Sequence, residues 1–71
     1  MFYYKTRVGI FKIKPSNHGY GLFFNGDCIG EYTSPQSAAD DVFTHTTGVY
    51  EWDMLEGRIN SPTDLSEWHC F

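Results

Sequence analysis

Chemistry needs side chains that share a site, so the histidines, cysteines and paired acids come first. His18, His45, His69, Cys28 and Cys70 are the residue types that ligate a transition metal. Their spacing argues against a shared ion, because no pair shows the C-x-x-C or H-x-x-x-H interval that brings two donors together. Cys28 belongs to an uncharged strand face, where a thiol behaves as a small apolar side chain rather than a nucleophile. Asp40 and Asp41 are an adjacent carboxylate pair, but neighbours on a helix diverge by about 100° and do not converge on one substrate. They read as a solvated face. Asp41 and His45, four apart, have the spacing of a local ion pair along a helix flank. There is no Ser-His-Asp spacing, nucleophile elbow or phosphate-cradling glycine loop. The expectation is a non-enzymatic chain with no cofactor and no metal.

These residues depend on Thr33 to Gly48, TSPQSAADDVFTHTTG, for their positions. The Ser34 hydroxyl can cap a helix, and Pro35 suits the first helical position, where no amide donor is required. Pro35, Ala38, Ala39, Val42, Phe43 and Thr46 share one arc at helical spacing, while Ser37, Asp40, Asp41 and Thr44 share the other. Gly48 can take the left-handed conformation that ends a helix, and His45 would favour the negative end of its dipole. The pattern predicts a helix over 35–47.

Ahead of it, residues 6–14, TRVGIFKIK, alternate as a strand, with Gly9, Phe11 and Ile13 on one side and Val8, Ile10, Lys12 and Lys14 on the other. Pro15 to Gly19, His18 included, are turn formers. Tyr20 to Phe24 returns as a second strand. Asn25-Gly26 signals a tight hairpin, since both tolerate the positive φ of a type I′ turn. Cys28 to Tyr32 follows as a third strand. The register predicted from that turn separates two faces. One holds Phe11, Ile13, Phe23, Cys28 and Tyr32 with Gly9, Gly21 and Gly30, and is expected beneath the helix. The other holds Val8, Ile10, Tyr20, Leu22, Phe24 and Ile29 beside Lys12, Lys14, Asp27 and Glu31. That face is too apolar to stay in water.

The reading is thus α+β: an antiparallel three-stranded sheet with one amphipathic helix on one face, then a short helical C-terminal segment. It forms one domain over 1–71, divided into sheet (5–33), helix (34–48) and covering segment (49–71). Within the last, Val49, Trp52 and Leu55 suggest a helical turn, Gly57 to Asn60 breaks it, and Ser61-Pro62 opens another short helix presenting Leu65 and Trp68. The tail is expected to cover the second sheet face.

Composition agrees with a folded domain: six Phe, five Tyr and two Trp in 71 residues supply much buried area. No apolar run is long enough to cross a bilayer, and MFYYKTR lacks the order of a signal peptide, so a cytoplasmic chain with reduced thiols is expected. The net charge of −4 hides an asymmetry. Residues 1–26 carry Lys5, Arg7, Lys12 and Lys14 and no acid, whereas 27–71 hold nine acids against Arg58.

The run CIGEYTSPQSAADDVF, with Cys28, Ile29, Gly30, Glu31 and Tyr32 in the last strand and Ala38 and Ala39 in the helix, resembles the plant apetala/ethylene-response-factor DNA-binding domain and the integrase arm-binding modules. The resemblance implies three strands, a helix and an open sheet face that reads DNA with Arg and Trp. Here that face offers Lys12 and Lys14 as cations, and Asp27 and Glu31 would repel phosphate. A protein-interaction module, meeting an unidentified protein partner or a second copy of itself, is therefore expected ahead of a divergent DNA-binding module, with no membrane role. The expected interaction face is Ile10, Lys12, Lys14, Tyr20, Leu22, Phe24 and Ile29.

Overall fold

The computed structural model describes residues 1–17, 19–58 and 61–70. His18, named above as a possible ligand and turn former, and Asn60, at the end of the expected break, lie outside the described residues. The fold is α+β, with strands β1 (Phe2–Lys5), β2 (Ile10–Ser16), β3 (Gly19–Phe24), β4 (Asp27–Tyr32) and β5 (His69–Cys70), and helices α1 (Pro35–Phe43) and α2 (Tyr50–Asp53). A 3-10 turn spans Leu65–Glu67. The sheet has five strands rather than three, in the order β4-β3-β2-β1-β5, and every pair is antiparallel.

The first extra strand arises because residues 6–9 are a turn, not the start of β2. The Thr6 hydroxyl accepts the amides of Val8 and Gly9 and donates to the Gly9 carbonyl, closing the chain on itself. Such a hydroxyl offers the backbone an alternative to a ladder. Phe2 to Lys5 then fold back along β2, with Phe2 opposite Ile13 and Tyr4 opposite Phe11.

The β2–β3 connection decides which way the side chains face. Ser16 pairs with Gly19, which sets Ile13 opposite Leu22 and Phe11 opposite Phe24. Side-chain direction alternates along a strand, so a one-residue difference in pairing moves a whole strand's set to the other face. This overturns the expected faces. Leu22 is fully buried with Phe11 and Ile13, and Tyr20, Phe24 and Ile29 pack against the same core. Lys12 pairs with Phe23, and Phe23 with Cys28, so Phe23 and Cys28 join the open face.

Asn25 and Gly26 have φ of 51° and 93°, as a type I′ turn requires. The pairs nearest it, Phe24 with Asp27 and Phe23 with Cys28, follow from that turn, but an irregularity between Leu22 and Phe23 then sets Leu22 opposite Gly30. Ile29 is thereby the extra residue of a bulge. Gly21 matters for the open face, because the Phe23 ring lies over it and a Cβ there would come within 2.8 Å of that ring.

Helix α1 opens as expected, with Ser34 Oγ accepting the Ser37 amide at 3.2 Å, and buries Ala38, Ala39 and Val42 against β2, β3 and β4. It stops at Phe43, a turn early. His45 takes the left-handed conformation (φ 57°), its amide reaches the Val42 carbonyl, and the Thr46 amide reaches Asp41. That is the 5→2 and 6→1 pattern that closes a helix. Phe43 is consequently 41% exposed, not part of the buried arc.

The tail also departs from expectation. Trp52, Pro62 and Trp68 are buried, and both indoles enter the core on the helix side of the sheet instead of covering the other face. From the tail, β5 joins the sheet as an edge strand beside β1.

Candidate functional site

The uncovered face of the sheet is built from alternate residues of each strand. Across its middle runs one lateral row of directly paired positions: His69, Tyr3, Lys12, Phe23 and Cys28. Lys5 pairs with Ile10 on one side of this row, and Lys14 pairs with Gly21, which in turn pairs with Glu31, on the other. The Tyr3 and His69 rings stack with centroids 5.0 Å apart and planes 24° from parallel. Lys14 Nζ sits 4.5 Å from the centre of the Phe23 ring, a cation over an aromatic face. Tyr3, Lys5, Ile10 and Lys12 line a shallow cavity of about 310 Å3.

Of the seven residues expected on this face, Ile10, Lys12 and Lys14 lie there, and Tyr20, Leu22, Phe24 and Ile29 turn toward the core. The removal of those four changes the chemistry of the face. What was expected as an apolar patch is a mixed surface of ammonium groups and rings, with Glu31 as the acid at its far edge. Tyr3, Phe23 and His69 were missed. For Tyr3 a signal was available, in the β-prone aromatic run FYYK ahead of the Thr6–Gly9 turn.

A second constellation lies where α1 ends. His45 is 7% exposed; its Nδ1 is 2.8 Å from the Trp52 carbonyl and its Nε2 is 2.6 Å from Ser61 Oγ. A carbonyl can only accept, so Nδ1 carries the proton, and in the neutral ring Nε2 accepts from the Ser61 hydroxyl. The ring also stacks on the Trp52 indole at 4.4 Å and 10°. A hydroxyl hydrogen-bonded to an oriented imidazole has the form of a nucleophile and its base. It borders a cleft of about 520 Å3 lined also by Phe43, Thr44, Glu56, Gly57 and Thr63.

The Glu56 carboxylate borders the same cleft as the Ser61–His45 pair. What the geometry does accomplish is mechanical. One imidazole joins the end of α1, the carbonyl of α2 and the start of the tail. The expected Asp41–His45 pair is replaced by two separate partnerships, since Asp41 Oδ2 accepts the Tyr32 hydroxyl at 2.7 Å. Burial, then the hydrogen bond and charge of Asp41, push the Tyr32 phenol well above its usual value.

Cys28 and Cys70 are exposed free thiols on the two outermost strands, β4 and β5. Among the described residues no group of three His, Cys, Asp or Glu side chains could hold a metal ion, and no helix is long and apolar enough to cross a membrane. No family model, curated protein or solved structure matches the chain.

Proposed function

We propose that this protein is a non-enzymatic binding module that engages an anionic partner through the open face of its sheet. The observation that carries the reading is the sorting of charge: Lys5, Lys12 and Lys14 share one face, while Asp40, Asp41, Asp53, Asp64 and Glu67 belong to the helices and tail on the other side. A chain of net charge −4 then presents a cationic surface locally, and such a field steers oppositely charged partners. The test is retention on a sulfonated cation-exchange resin at pH 7, above the sequence pI of about 5.0. Retention that disappears in Lys5→Gln/Lys12→Gln/Lys14→Gln supports the proposal. Flow-through of the parent chain at low salt overturns it.

A second reading, a protein partner on the opposite side, is favoured by exposed Tyr50 (72%) and Met54 (53%). They stand four apart at α2, on one side of that turn. A Tyr50→Ser/Met54→Ser variant that loses self-association or capture of a protein, with cation-exchange retention unchanged, would assign that role to α2.

A further inference from the structure

We infer that the open sheet face binds single-stranded nucleic acid, stacking bases on its rings and pairing phosphates with its lysines. This rests on the anionic-partner reading above and narrows it. A polyanion without flat groups would need only the ammonium charges. The face holds more than charge: Tyr3, His69 and Phe23 occupy the same lateral row as Lys12. Tyr3 and Phe23 are two strand spacings apart, about 10 Å, so one extended strand of nucleic acid crossing the sheet can meet both.

The local surroundings of each ring fit this ligand. Beside Tyr3 is the 310 Å3 cavity, with the Ile10 side chain as apolar lining and Lys5 and Lys12 at its margin. A base seated there meets ring and hydrocarbon while its phosphates reach the ammonium groups. At Phe23 the Lys14 ammonium lies over the ring face. A nucleotide can exchange with it part for part, the base taking the ring and the phosphate taking the ammonium. Base–aromatic stacking is tolerant of sequence because every base has a π-face. A duplex hides its bases and offers this face only phosphates, and an acidic peptide offers carboxylates without rings. Glu31 at the far edge marks where the strand leaves the face.

The experiment measures binding of the full chain to a fluorescent oligothymidylate of about 12 nucleotides, a length within the usual range for such platforms. Competitors are the same-length duplex, polyglutamate and inorganic polyphosphate. The expected result is preference for the single strand, with log affinity falling against log salt at a slope of about −2 for three lysines. Tyr3→Leu and Phe23→Leu should each weaken oligothymidylate roughly tenfold and leave polyphosphate binding unchanged. Circular dichroism verifies that both variants fold, and Lys12→Gln, which spares the rings, should lower the salt slope. Equal affinity for polyphosphate, with no effect of the ring substitutions, overturns this inference while sparing the anionic-partner reading. Tighter binding of duplex or polyglutamate than of the single strand also overturns it. Failure to bind any of the four polyanions removes both.

Discussion

The imidazole of His45 lies flat against the indole of Trp52, ring centroids 4.4 Å apart, and accepts the backbone strain of a left-handed residue to do so. Trp52 in turn meets Phe11 of β2 edge-on at 5.4 Å and donates its Nε1 hydrogen to the Val42 carbonyl at 2.9 Å. These contacts join sheet, helix and tail through two side chains.

His45→Ala should therefore destabilise the domain by about 2–4 kcal/mol, since it opens a cavity and removes the ring's hydrogen bonds with the Trp52 carbonyl and the Ser61 hydroxyl. His45→Gly loses the same contacts but relieves a left-handed conformation that costs roughly 1–2 kcal/mol for a residue with a Cβ. Urea unfolding should rank glycine above alanine at this position. The opposite ranking would mean that φ at residue 45 is not held in solution.

The two tryptophans differ in one respect that phenylalanine exposes. Trp68 is 6% exposed with its indole nitrogen buried and unpaired among the described residues, whereas the Trp52 nitrogen has its acceptor. Trp52→Phe removes a buried hydrogen bond to the Val42 carbonyl, which keeps the His45 amide, and should cost about 0.5–1.5 kcal/mol beyond Trp68→Phe, which removes an unsatisfied donor. Equal losses of thermal stability in the two variants would contradict this.

Leu22→Glu and Ile10→Glu separate the faces. Leu22 is fully buried beneath α1, so a carboxylate there should unfold a domain with only about 5–15 kcal/mol of stability, as should Val42→Asp. Ile10→Glu, on the open face, should leave the circular dichroism spectrum unchanged and abolish retention on the cation exchanger. If Leu22→Glu folds and Ile10→Glu does not, the register of β2 against β3 is wrong.

Stability should fall at both ends of the pH range, for opposite reasons. The folded-state value of Tyr32 is raised above its ordinary 10.0, so its contribution is whole below that pH and is lost as pH climbs through the folded value. Tyr32→Phe should flatten the alkaline limb of a plot of Tm against pH. Asp64 and Glu67 are lowered from 3.8 and 4.5, mainly by hydrogen bonds from Ser66 and Thr63. Their contribution is present above those ordinary values and fades as pH drops through the folded ones. Glu67→Gln should weaken the acid dependence of the Trp68 indole resonance, and an unaltered titration would detach Glu67 from the docking of the tail.

Much of the local structure was legible in the sequence because it depends on neighbours in the chain. Ser34-Pro35 opens a helix wherever it lies, the Ala38, Ala39 and Val42 face follows from helical spacing, and Asn25-Gly26 makes its turn from its own φ preferences. What lay beyond reach depends on pairings between distant segments. The pairing of Ser16 with Gly19 set β2 against β3 so that alternation carried Leu22 inward and Phe23 outward together. His45 ends the helix early because Trp52 and Ser61 hold its ring, and nothing in HTTG announces those partners. β5 is a two-residue strand whose identity comes from the edge it joins, not from its own propensity. The chemistry of the open face was decided in the same way, since four lysines and arginines in the first 14 residues state a charge, and only the register states which rings stand beside it.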